Sequence, residues 1–176
     1  NTLISESQSV ITSRIGTANF DIGHTFSTGG GGLAGLGVVC NASNKARGIT
    51  GSPQPTGDAY DIDFVAHEVG HQFGGNHTFN ATTDNCSGNR TGSTSVEPGS
   101  GITIMGYAGI CGSINDLANN SIPYFHTVSQ GQIGSFSNNG GTGGSCAQIT
   151  ATGNSAPVVN AGSDYTIPAG TPFMLT

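Results

Sequence analysis

The stretch HEVGHQFGGNH, running from His67 to His77, decides the fold, because it sets three imidazoles, one carboxylate and a bend-permitting glycine inside eleven residues. In a helix, side chains four apart project from one face, so His67 and His71 can aim ring nitrogens at a common ion. Glu68 stands beside the first imidazole, where it can hold the water that such an ion polarises. Gly74 lets the chain leave the helix at positive φ at no steric cost, and the bend returns His77 as a third ligand. Three nitrogen ligands with one open position describe a catalytic zinc rather than a structural one. A His pair at i, i+4 alone would read as a solvated or core-satisfied couple. Here glutamate, glycine and a third histidine coincide, and three of the five His in the chain lie in this window.

Composition sets the surroundings. The 176 residues suffice for one domain with a core and a short further element. A net charge of -6 with only four Lys and Arg gives nucleic-acid binding almost no electrostatic basis. Charged residues make up 8%, with Gly, Ser, Thr and Asn abundant, a balance that suits a loop-rich secreted protein. No stretch reaches the roughly eighteen apolar residues of a membrane span. Asn1 opens the chain without an initiator Met or a signal-like run, as in a mature form or a fragment. The four Cys, Cys40, Cys86, Cys111 and Cys146, form no CxxC pair. Beside a zinc site built from His they read as two disulfides of an oxidising compartment, with buried free thiols as the alternative, and three pairings are open.

Along the chain, Leu3, Ile4, Val10, Ile11 and Ile15 fit one face of a short helix over 3–15. Asn19 to Phe26 alternates as a strand, the run Gly29 to Gly32 breaks it, and Leu33 to Cys40 is a second extended segment ending in a turn. Ala46 to Asp58 has the Gly and Pro content of a loop. From Tyr60, the residues Ile62, Phe64, Val65, Val69 and Phe73 supply the apolar face of the helix that carries the first two ligands, with Asp61 or Asp63 to cap or charge its start. Asp84, Glu97 and Asp116 are acidic candidates for a structural Ca²⁺, but without a DxDxDG-like loop a surface role is the favoured reading. Met105 lies at the centre of the apolar GITIMGYAGIC, Gly101 to Cys111, with Tyr107 two residues on. Taken alone, both read as core.

Together, the HExxHxxGxxH pattern of His67, Glu68, His71, Gly74 and His77 and the downstream Met105 resemble the metzincin zinc metallopeptidases. Within that clan the chain is most similar to secreted bacterial reprolysin or adamalysin enzymes. GLAGLGVVC, from Gly32 to Cys40, resembles the strand and Cys ahead of their zinc helix, and FHTVSQGQI, from Phe125 to Ile133, resembles the start of their closing helix. Thr78 stands where adamalysins carry Asp, and the HTF of His77 to Phe79 is closer to the pappalysins, the second choice.

The resemblance implies an α+β zincin catalytic domain over 1–146, with active-site helix, Met-turn and C-terminal helix, lacking the first elements of its upper subdomain. It implies Zn²⁺ on His67, His71 and His77, Glu68 as general base and then acid, and Met105 in the Met-turn. Tyr107 has the spacing at which astacins and serralysins carry a tyrosine that binds the metal or steadies the oxyanion, against the alternative of a core tyrosine. Leu33, Ala34, Gly35, Leu36 and Gly37 would supply the edge on which a peptide substrate adds as a strand. The bridges implied are Cys40 with Cys146 and Cys86 with Cys111. Beyond a linker over 147–156, residues 157–176 resemble the opening strands of a PKD or other immunoglobulin-like module. The expected activity is secreted zinc endopeptidase cleavage of protein or peptide substrates. The alternative is a catalytically silent metal-binding or adhesive module that keeps the fold.

Overall fold

The apolar spacing near the N-terminus forms α1, Leu3–Ile15, in the computed structural model of the protein, which describes residues 2–138, 140–155, 157–160 and 162–174. The expected apolar face is covered only in part: Ile4 is buried, whereas Val10 and Ile15 are about half exposed. A hydroxyl chain anchors α1 to the sheet, Thr25 Oγ1 donating to Ser7 Oγ at 2.8 Å and Ser7 Oγ to the Ala46 carbonyl at 2.8 Å.

The sheet has three strands in the order β1–β3–β2, with β1 (Thr25–Ser27) parallel and β2 (Gly31–Ala34) antiparallel to the central β3 (Gly48–Gly51). Three expectations are corrected here. The strand over Asn19 to Phe26 shrinks to β1, because Asn19 closes a 3₁₀ turn and the Gly23 N–H goes to the Lys45 carbonyl at 2.7 Å rather than into a ladder. The glycine run does end that first strand, with bends over 28–30, but the second extended segment starts inside the run rather than at Leu33, since Gly31 and Gly32 belong to β2 and pair with Gly51 and Thr50. The stretch read as loop over Ala46 to Asp58 contains the central strand itself. Its glycines are dictated by packing: a Cβ on Gly48 would stand 2.4 Å from Gln72 Oε1, and one on Gly51 would stand 2.2 Å from the Gly29 carbonyl oxygen. Close approach, rather than weak strand propensity, explains them.

The helix that carries His67 and His71 is composite, with α2 (Asp58–Tyr60), a π-helical segment over Asp61–Ala66, and α3 (His67–Gln72). It begins at Gly57 with no side-chain cap, so neither Asp61 nor Asp63 caps it. Asp63 instead accepts from the Ser121 N–H and Asn120 Nδ2, both at 2.7 Å, tying the helix to the loop before α4. The fully buried Gln72 clamps α3 to the sheet: its Nε2 donates to the Gly23 carbonyl at 2.9 Å, and its Oε1 accepts from His24 Nδ1 at 2.7 Å. Thr50 of β3 closes the chain of bonds at His24 Nε2, 2.7 Å away. The helix ends through Gly74 at φ 89°, a left-handed position that suits glycine.

After His77 the chain runs irregularly round a small core of Phe79, Ala81, Cys86 and Cys111, against which Tyr107 packs, before α4 (Thr127–Ser137). Phe136 of α4 wedges its ring against Gly37, Gly74 and Gly143. Disulfides join Cys40 to Cys146 and Cys86 to Cys111, with Cα separations of 5.4 and 5.1 Å. Loops of 106 and 25 residues correspond to about 3 to 5 kcal/mol per bridge in the chain-entropy picture. The described residues from Ala147 onward are exposed and form no helix or strand. No helix among the described residues is long and apolar enough to cross a membrane.

Candidate active site and metal centre

His67 and His71 leave α3 one turn apart, and the bend at Gly74 brings His77 to face them. Their Nε2 atoms converge, with 3.0 Å between His71 and His77 and 3.2 Å between His77 and His67. These contacts are not hydrogen bonds. Each Nδ1 faces a backbone carbonyl, which only accepts: Ile104 for His67 and Gly75 for His71, both at 2.7 Å, and Asn89 for His77 at 2.6 Å. Each ring proton is therefore on Nδ1, and three lone pairs point at one spot. Tetrahedral zinc at ordinary Zn–N lengths holds its nitrogens about 3.3 Å apart, so the donor set fits that ion.

Electrostatics agree with three neutral rings. Burial, followed by the charges of His71 and His77, holds His67 well below the usual imidazole range. Burial and then His77 bring His71 down to about 4, and burial lowers His77. Neutral imidazole is the ligating form. Among the described residues this triad is the only group of three or more His, Cys, Asp or Glu side chains placed to hold a metal. None of the calcium candidates Asp84, Glu97 and Asp116 belongs to such a group among the described residues. Asp116 Oδ1 is taken by the Cys111 N–H at 2.7 Å, and Glu97 is not on the surface, being 6% exposed.

Glu68 lies beside the triad, 9% exposed, and burial pushes its carboxyl up to about 8. Gly32 of β2 makes room for it: a Cβ there would sit 2.2 Å from Oε1 and 2.5 Å from Cγ. Met105 is fully buried in a turn closed by the Gly106 N–H on the Thr103 carbonyl, and its Sδ would stand 2.6 Å from a Cβ on Gly70 of α3. The Tyr107 ring lies 4.7 Å from that of His77 and 5.4 Å from that of His67. Burial, then the nearby Glu68 carboxylate, pushes its hydroxyl up to about 12. Of the residues expected to form a substrate edge, Leu33 and Ala34 lie on β2. Gly35 carries the ladder on to the Arg47 carbonyl at 2.8 Å, and Leu36 and Gly37 turn towards α3, the Gly37 N–H reaching the His71 carbonyl at 2.9 Å. A groove lined by Gly32, Leu33, Ala34, Leu36, His77 and Tyr107 passes Glu68 along this edge.

The family model of the M12B metallopeptidases, described as reprolysin-like, matches residues 1–137. The chain belongs to the reprolysin-like M12B metallopeptidases. It matches no curated protein and no solved structure. Zinc is the metal of this family and protein the substrate of a peptidase, so the family and the convergent triad agree. Two disulfides in a reprolysin-like chain point to an extracellular protein.

Some functional groups of this M12B peptidase were not legible in its sequence. The carbonyls of Gly75, Asn89 and Ile104, which set the ring tautomers, leave no mark in residue identity. Glu97 was readable only as an acidic residue. Gly32→Ala follows from the geometry as a test: its methyl displaces the Glu68 carboxylate, and if Glu68 acts as the base proposed below, kcat falls by about 10- to 100-fold, as with small misplacements of catalytic groups. Bound zinc stays at wild-type level. Steady-state kinetics with metal analysis checks both.

Proposed function

We propose that the protein is a secreted zinc endopeptidase in which His67, His71 and His77 hold the metal and Glu68 is the general base. The observation that carries this reading is the convergence of three Nε2 lone pairs, each fixed by a carbonyl at Nδ1, next to a buried carboxylate. Zinc held there would polarise the scissile carbonyl and lower the pKa of water. Glu68 takes the proton of the attacking water and returns it to the leaving amine. Tyr107, neutral across the physiological range, donates to the carbonyl oxygen as negative charge grows on it. Met105 serves as the Met-turn residue, packing beneath α3 at Gly70. Substrate extends along the edge of β2, where among the described residues Gly31 to Ala34 pair with β3 on the other side only.

The test is cleavage of an unfolded protein. Cleavage appears with zinc, stops with chelator and returns on zinc addition. Zinc-loaded protein that cleaves no member of a broad peptide library would instead identify a silent metal-binding module.

A further inference from the structure

Glu97 carries a buried carboxylate that the sequence reading placed on the surface. Its Oε1 accepts from the Ile102 N–H at 2.9 Å and the Thr103 N–H at 3.1 Å, and its Oε2 from Thr103 Oγ1 at 2.6 Å and Thr78 Oγ1 at 2.5 Å. All four donors are neutral, and they belong to two segments, one that follows His77 and one that meets His67 through the Ile104 carbonyl. Thr78 directly follows His77, and the Glu97 N–H returns a bond to the Thr78 carbonyl at 2.9 Å. Ile102 and Thr103 lead into the turn whose Ile104 carbonyl holds His67 Nδ1 at 2.7 Å. The segments also join directly, the Thr78 N–H reaching the Met105 carbonyl at 3.0 Å. Thr94, ahead of Glu97, donates from Oγ1 to the His77 carbonyl at 2.7 Å. Gly101 at φ 66° keeps this turn tight, since a Cβ there would stand 3.0 Å from the carboxylate.

A buried anion with four converging donors is expensive to break, because removing it orphans every donor at once. Burial opposes its charge, yet the bonds from Thr103, Thr78 and the two backbone amides hold its pKa below the usual carboxylate range.

We propose that Glu97 is a positioning residue of the metal centre, locking the segment after His77 to the turn that orients His67, so that two of the three imidazoles keep their ligating geometry through one carboxylate. The inference rests on the zinc reading above. Groups behind metal ligands typically cost 10- to 100-fold in metal affinity when removed.

The experiment measures zinc dissociation constants by competition with a chromophoric chelator, and visible spectra of the Co²⁺-substituted protein. The samples are wild type, Glu97→Gln, Glu97→Ala, Thr103→Val and Ser7→Ala. Glu97→Gln is expected to weaken zinc about 10-fold and Glu97→Ala up to about 100-fold, with altered Co²⁺ bands. Thr103→Val removes one donor, spares the charge and weakens zinc by a smaller factor, which keeps the test open should Glu97→Ala fail to fold. Ser7→Ala, on α1, lowers Tm but leaves zinc affinity unchanged. Glu97 and Thr103 variants that lose Tm while binding zinc within twofold of wild type, with unchanged Co²⁺ spectra, overturn the inference alone. A wild type that takes up no zinc overturns the zinc reading and this inference with it.

Discussion

Glu68→Gln is expected to lower kcat on an unfolded protein substrate by about 10²- to 10⁴-fold, the usual contribution of a positioned general base, while zinc stays bound. The substitution keeps shape and volume, so the room left by Gly32 and the packing of α3 survive; only basicity is lost. The carboxyl is not one of the converging nitrogens, so metal content is expected to match wild type. Burial alone pushes the carboxyl up to about 8, which would leave it protonated at neutral pH. A dication beside it favours the carboxylate, because opposite charge stabilises the ionised form in a dry site. Base function and metal occupancy are therefore coupled: with zinc in place Glu68 is ready to accept a proton, and without it the group is an acid. Steady-state kinetics with metal analysis of the same sample decides the matter. Activity within tenfold of wild type would remove Glu68 from the role of base.

Legibility in the sequence followed the kind of physics involved. The histidine stretch was readable because its chemistry is local: helical spacing brings His67 and His71 together, and one glycine returns His77. Helix α1 was readable from its apolar spacing, although the sheet covers only part of that face. The central strand β3 was not readable, because Gly48 to Gly51 has no alternation and its glycines answer to distant neighbours, Gln72 and the Gly29 carbonyl. Propensity scored it as loop where close packing made it the middle of the sheet. Glu97 failed for the same reason in polar form. An acidic residue in a Gly, Ser and Thr-rich stretch looks solvated until the fold brings donors from Thr78, Ile102 and Thr103 onto it. The groups that decide metal geometry, three backbone carbonyls, belong to no residue type at all.

Removing the metal is expected to lower stability as well as activity, and to make it acid-sensitive. Zinc at a thousandfold excess over its Kd stabilises a folded site by about 4 kcal/mol. For a chain of this size that corresponds to roughly 8 to 16 °C in Tm. In the metal-free protein three neutral imidazoles face one another with Nε2 atoms 3.0 and 3.2 Å apart, and the Nδ1 tautomers leave no proton between them. Their pKa values are lowered on folding, His71 to about 4. Below about 6.5 the unfolded chain therefore takes up protons that the folded site refuses, so stability falls as pH falls. Glu68 works in the opposite sense, because its raised pKa lets the folded state bind a proton from about 8 downward, ahead of the unfolded carboxyl near 4.5. Just below 6.5 the two effects nearly cancel; a pH unit or more lower, where the unfolded imidazoles are charged, one gained proton set against up to three refused leaves a net loss of at most about 3 kcal/mol per pH unit. Zinc-loaded protein resists this decline until protons compete the ligands off. Thermal and denaturant melts with and without chelator between pH 7.5 and 5 check it. Curves that stay parallel across that range, or a chelator shift under 2 °C at neutral pH, would mean that the triad holds no metal.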